Sequence, residues 1–177
     1  ENFRKINLNS DEVSYFIDKN KFFSKNNSSA KMIDDDISII ADNFEYDQLL
    51  NIINANGNVA IIDIKKNLKL FSENITYFKN KEKIFTQGRT NATIDKKYDF
   101  KSKDVTFFRE KMILISSEKS VVEDDSDTIY TLDSFHYTLN KEILKGNNVK
   151  IITNFGKKKS DKFNFSSGIF YLNEKKF

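Results

Sequence analysis

Residues 41–61 read Ala41-Asp42-Asn43-Phe44-Glu45-Tyr46-Asp47-Gln48-Leu49-Leu50-Asn51-Ile52-Ile53-Asn54-Ala55-Asn56-Gly57-Asn58-Val59-Ala60-Ile61. The first part is an apolar–polar–aromatic triplet, Phe44-Glu45-Tyr46. The second, from Ile53 to Ile61, alternates apolar and polar positions around Gly57. Period-two alternation is the signature of a half-buried strand. The same pair of features recurs. Triplets begin at Val13, Phe44, Ile75, Val105, Phe135 and Ile169, at spacings of 31, 31, 30, 30 and 34 residues. Relatives of the alternating part are Ile84 to Thr90 and Leu144 to Val149, while the copy from Met112 to Val122 has no Gly. A repeat of this kind governs the fold and is read before anything else.

The phase within each unit predicts a bend. Leu70 and Ile75 are both apolar but an odd step apart, as are Leu8 and Val13, Ile39 and Phe44, and Phe100 and Val105. An odd step moves a side chain to the other face of a flat strand. A polar Ser/Asp/Asn step at that place therefore predicts a bulge or corner. Charged tripeptides such as Lys79-Asn80-Lys81 and Arg109-Glu110-Lys111 read as solvated tight turns between antiparallel neighbours. Two strands per unit give about a dozen, in the range where open sheets curl. The 24 aromatics (17 Phe, 7 Tyr) and the absence of Pro suit ladders. The expectation is an all-β, antiparallel domain of bent strands over 1–177, built from ~30-residue repeats.

Composition excludes several functions. The chain has 177 residues, enough for one domain with a real core. A net charge of +3 on 29 basic and 26 acidic groups is too balanced for a nucleic-acid module. No apolar run approaches the ~18 residues of a membrane helix. Without Cys there is no thiol chemistry, and His136 alone makes no zinc site. Flanked by Phe135 and Tyr137, His136 falls on the polar face of its strand. The runs Asp34-Asp35-Asp36 and Glu123-Asp124-Asp125 lack the spacing of a calcium loop and read as turns. Gly57, Gly88 and Gly146 are isolated and cradle no phosphate. Asn74 and Asn91, in Asn-x-Ser/Thr contexts, read as strand or corner residues. No catalytic constellation, metal site or cofactor is expected.

The candidate site is the aromatic row itself: Val13, Tyr15, Phe44, Tyr46, Ile75, Tyr77, Val105, Phe107, Phe135 and Tyr137. Two readings stay open. The row fills a closed core, as in a purely structural β-repeat module, or it lines a continuous groove for an apolar ligand. An open array also leaves edges that pair readily. Ile6, Leu8, Val13, Ser14 and Tyr15 form the Pro-free N-terminal edge, with Lys19 and Lys21 expected outside the strand. The sixth unit stops soon after its triplet, which suggests a fragment of a longer array.

The text of the repeat carries a resemblance. Ala41-Asp42-Asn43-Phe44-Glu45-Tyr46-Asp47, followed by Asn54-Ala55-Asn56-Gly57-Asn58-Val59, resembles the A-D-x-x-x-Y-D … A-x-G-N-V signature of the OstA-like family of periplasmic lipopolysaccharide-transport domains. Residues 84–145 look like the N-terminal periplasmic part of the LptD branch. This resemblance implies a V-shaped antiparallel β-jellyroll, or β-taco, whose apolar groove holds lipopolysaccharide acyl chains on their way to the outer membrane. It implies edge-strand pairing with an LptA-like β-jellyroll, which is β-augmentation. It further implies a periplasmic place, with attachment to the outer membrane through the chain's own C-terminal barrel, absent from these residues, and an LptE-like lipoprotein as partner. A soluble LptA-like bridge protein is the near alternative. Cysteines that join domain and barrel in many members have no counterpart here.

Overall fold

The computed structural model describes residues 6–33 and 36–174. It contains fifteen strands: β1 Ile6–Asn9, β2 Glu12–Phe16, β3 Lys21–Met32, β4 Ile37–Asp47, β5 Ile52–Asp63, β6 Leu68–Phe78, β7 Lys83–Ile94, β8 Tyr98–Lys103, β9 Thr106–Phe108, β10 Ile113–Ser116, β11 Ser120–Asp124, β12 Ile129–Leu132, β13 Ser134–Thr138, β14 Ile143–Ile152 and β15 Lys162–Tyr171. All belong to one sheet, and the pairings between them are antiparallel. β1 and β2 both pair β3 in consecutive register, so they are two halves of one bent strand. The same holds for β8 with β9, β10 with β11, and β12 with β13.

The corners fall where the odd steps predict them. Register shifts occur between Lys25 and Ser28, Ile40 and Asn43, Asn56 and Val59, and Ser72 and Asn74. The bulged strands adopt left-handed backbone there, with φ of 61° and 47° at Asn26 and Asn27, 76° and 47° at Gly57 and Asn58, 88° at Gly88 and 49° at Asn148. Asn and Gly are the residues that tolerate this region. Across from three of the bulges stands an acidic side chain that fixes the Asn. Asn27 Nδ2 donates to Asp11 at 2.8 Å, Asn58 Nδ2 to Asp42 at 3.0 Å and Asn148 Nδ2 to Asp133 at 2.6 Å. At the fourth, Gly88 N–H donates to Asp104 at 2.8 Å. The inner side of the corner is lined by buried hydroxyls. Ser24 and Ser28 lie 2.9 Å apart and Thr86 and Thr90 2.6 Å apart, and Thr86 Oγ1 accepts from Val105 N–H at 2.8 Å. They satisfy backbone groups that the bend removes from the ladder.

Each bent strand therefore contributes to two arms. Arm one carries β2, β9, β10, β13 and the triplet-bearing halves of the long strands. Arm two carries β1, β8, β11, β12 and the other halves. The arms face each other: Phe100 of β8 meets Phe135 and Tyr137 of β13 at ring distances of 5.2 and 4.9 Å, and Tyr130 of β12 meets Phe170 of β15 at 6.0 Å. None of these strand pairs is hydrogen-bonded.

The rims repeat as regularly as the corners. On arm one the residue closing each turn is left-handed: Asn20, Asn51, Glu82, Met112 and Glu142. Its carbonyl accepts from the next turn, through Gln48, Lys79, Arg109, Leu139 and Leu172 N–H at 2.8–3.0 Å. Arm two does likewise, Ile64 N–H to Asp36, Asp95 N–H to Asn67 and Phe155 N–H to Asp127. The 30- and 31-residue interval is the spacing of these stations.

Three expectations change. The unit without Gly does not run as one strand: it breaks into β10 and β11 around Ser117–Lys119, because no residue there takes the left-handed bulge. In the sixth triplet Ile169 and Tyr171 point outward and are exposed, while Phe170 is buried, since β14 pairs Leu144 with Phe170. Lys21 opens β3 and pairs with Glu45 at 2.6 Å, so it belongs to the sheet. Asp34 and Asp35 lie outside the described residues.

Candidate functional site

The inner row of arm one is where the sequence-predicted residues meet. Phe44, Tyr46, Ile75, Tyr77, Val105, Phe107, Phe135 and Tyr137 are all buried. Val13 and Tyr15 belong to the same row by register, Val13 opposite Ser24 and Tyr15 opposite Phe22, yet both are exposed. Exposure falls along the row from 43% at Tyr15 to 8% at Tyr46 and 0% at Tyr77. Tyr15 stacks on Phe22 at 4.2 Å, and Phe22 on Tyr46 at 6.4 Å. This aromatic shelf ends at the Lys79 ammonium, 5.2 Å from the Tyr46 ring centroid and 3.5 Å from its hydroxyl. Such contacts suit desolvated cations.

The far end is built in the opposite sense. On β15, Phe163 and Phe165 pair with buried Ile151 and Val149, so they face inward, but they remain 38% and 36% exposed. They lie on arm two. The arms are thus skewed: arm one is uncovered at the N-terminal end and arm two at the C-terminal end. The contacts across the mouth show the same offset. Asp63, closing β5, meets Arg109, which follows β9.

That contact is the polar centre of the interior. Arg109 is 3% exposed and Asp63 1%. Arg109 Nε donates to Asp63 Oδ2 at 2.7 Å, Nη1 donates to the Tyr77 hydroxyl at 2.9 Å, and Nη1 also donates to Glu82. Burial works against the charge, but the hydrogen bond to Asp63 and the surrounding anions outweigh it, and the guanidinium's pKa is raised. A second link crosses the mouth, where the Tyr98 hydroxyl donates to Glu142 at 2.6 Å and Lys97 approaches the same carboxylate at 3.5 Å. Burial, then Glu142, pushes the Tyr98 phenol up. The Tyr137 hydroxyl beside it is enclosed without a partner. The interior thus has three sections: an open aromatic shelf, a filled and fastened middle, and an open C-terminal lip.

The sequence reading missed both links and the Lys79 contact with Tyr46. It treated Arg109 and Lys79 as parts of solvated turns, whereas each is 3% exposed. The signal was present: the chain uses Lys almost everywhere, and Arg109 is one of three Arg. A buried, forked ion pair is where Arg cannot be replaced by Lys. His136 projects from the outer face, as its alternation requires, and is half-buried.

The edge residues lie where expected. β1 and β2 pair only with β3, and β15 only with β14, so among the described residues each end of the sheet has one unpaired edge. Ile6 and Leu8 are half-buried on β1, while Val13, Ser14 and Tyr15 are exposed on β2. No described helix is long and apolar enough to cross a membrane, and no described cluster of three or more His, Cys, Asp or Glu could hold a metal.

These features define an all-β jellyroll of bent antiparallel strands. Among solved structures the chain is similar to that of LptH from Pseudomonas aeruginosa, described as the LptA-homologous periplasmic component of the conserved lipopolysaccharide transport device. The TM-score is 0.55 at 16% identity, over 72% of this chain and 93% of that one. The fold is therefore that of an LptA-like β-jellyroll. Neither the known protein families nor the curated proteins give a sequence match.

Proposed function

We propose that this chain conducts lipopolysaccharide across the periplasm, passing its acyl chains along the inner row of the jellyroll. The observation that carries the reading is the open aromatic shelf at Val13, Tyr15 and Phe22, which continues into the inner row beside an unpaired sheet edge. An apolar interior that opens at its ends beside free edges is suited to continuation by a like domain. Each acyl CH₂ buried contributes about 0.8 kcal/mol without directional bonds, so a chain is held yet can slide. The likeness to LptH supports the same reading.

More finely, we propose the N-terminal periplasmic domain of an LptD-type assembly protein, standing at the outer membrane through a C-terminal barrel with an LptE-like lipoprotein. Its N-terminal edge (Ile6, Leu8, Val13, Ser14, Tyr15) receives an LptA-like jellyroll. The resemblance of residues 84–145 supports this version. The coverage of LptH favours the second reading, a soluble LptA-like bridge. The filled middle favours a third, a structural module with no cargo.

The test is photo-crosslinking with small aliphatic diazirines in the presence of lipopolysaccharide. Probes at Val13, Phe44 and Ile75 should label, while probes at their outward neighbours Ser14, Glu45 and Thr76 should not. Equal labelling of both sets refutes the assignment of faces, and no labelling at all returns the chain to the structural module. A reading frame continuing into barrel strands distinguishes the LptD version from the bridge.

A further inference from the structure

The middle of the interior has no space for an acyl chain as it stands. Ile75, Tyr77, Ile84, Phe107, Leu114 and Tyr137 are at most 2% exposed. Apolar contacts fill it, but the links that join the rims at the mouth are polar. Arm two reaches arm one at the mouth through Asp63 to Arg109, and Arg109 is tied within arm one to Tyr77 and Glu82. A buried ion pair is a poor source of net stability, because desolvation offsets its attraction, but it fixes one arrangement over others. A chain that needed only a filled core would reach the same closure with apolar side chains.

We infer that the Arg109–Asp63 link is a releasable fastening, which holds the two arms shut over the middle of the interior and admits an apolar chain there only when it parts. The inference rests on the conducting role proposed above. Three observations converge on it. The link joins elements that share no ladder, since among the described residues β5 and β9 are not paired, so no strand pairing joins those rims directly. The pair is desolvated, so it acts as a single contact that is made or broken. At the second link across the mouth, beside Tyr98 and Glu142, the enclosed Tyr137 hydroxyl lacks a partner in the closed arrangement, a penalty that opening relieves. The shelf at Val13 and Tyr15 lies outside the fastening. It takes up an apolar chain first, and passage inward waits on Arg109.

Asp63→Asn tests this, since it keeps the shape and an acceptor while removing the charge. Amide exchange at the rim ends of β5 and β9 should rise by at least about tenfold relative to the corner amides, as expected for losing one charged hydrogen bond. Unchanged exchange overturns the fastening. With a diazirine probe at Ile75 and lipopolysaccharide as ligand, labelling should accelerate by a similar factor, while labelling at Val13 stays constant. A thiol cross-link between Asp63→Cys and Arg109→Cys should abolish labelling at Ile75 and spare Val13. If exchange rises but labelling at Ile75 does not, the link does not gate the ligand and the inference falls. If exchange rises and neither position ever labels, the fastening stands and the conducting role is what fails.

Discussion

At the residue scale the buried ionisable groups join one arm to the other. Tyr98 is the clearest case for titration. Burial and then the Glu142 carboxylate hold its pKa above the ordinary 10.0, so folding favours the protonated phenol. Its contribution is complete below pH 10.0 and is lost as pH rises from there toward the folded value. Thermal unfolding followed across that interval should show wild-type stability falling with pH. Tyr98→Phe should start about 1 kcal/mol lower at neutral pH and fall less steeply. Tyr46, Tyr130 and Tyr137 are also pushed up by burial and supply the slope that remains. An equal slope in wild type and variant would show that Tyr98 ionises freely. None of these pairings was legible in the sequence, because Tyr98 and Glu142 are 44 residues apart and belong to different arms. Periodicity reports which face a residue takes, not which partner the curl brings to it.

At the element scale the sequence was more informative. The odd step from Leu70 to Ile75 announced a corner, and Asn and Gly at the bulges were visible in the text. The partner of the bulge was not, although Asp11, Asp42 and Asp133 precede Asn27, Asn58 and Asn148 by 15 or 16 residues. That separation has meaning only once two strands lie side by side. Gly57 shows what the corner demands. Its φ is 76°, and a Cβ would fall 2.2 Å from Asp42 Oδ2. Gly156 has a φ of 78° and open space around its Cβ position. Gly156→Ala should therefore show the backbone cost alone, on the order of 1 kcal/mol. Gly57→Ala should lose more, because Asp42 must also leave Asn58. Chemical denaturation of the two variants measures the difference. Equal losses would mean that the acidic contact adds nothing to the corner.

At the scale of the whole molecule, the repeat predicted antiparallel bent strands and their approximate number, but not the skew between arms. The skew decides which residues are free. Val13 and Tyr15 obey the same pattern as Ile75 and Tyr77, yet the first pair is exposed and the second covered. Core and groove looked alike in the text, since both require the same apolar face. The unpaired edge is testable at this scale. Successive N–H groups of a strand point to opposite sides, so proline at Val13 and proline at Ser14 remove different donors. One substitution should disturb the pairing of β2 with β3 and lower the melting temperature. The other should leave the fold intact and weaken association with an LptA-like jellyroll, read by analytical ultracentrifugation. If neither variant weakens association, the partner does not add to this edge.

The stations along the rim also make the molecule divisible. Asn20 and Asn51 hold the same left-handed backbone and hand their carbonyls to the next turn in the same way. Excising residues 21–51 would join Asn20 to Ile52, deliver the Asn20 carbonyl to Lys79, and bring Asp11 opposite Asn58 in the place of Asp42. The handovers along arm one survive, while the roll shortens by two strand spacings, roughly 10 Å. Removing a single strand would instead set acid against acid at the corner. Span in this architecture is therefore quantised: the axis grows or shrinks in pairs of strands, and the distance such a molecule bridges is written in its sequence as a whole number of repeats.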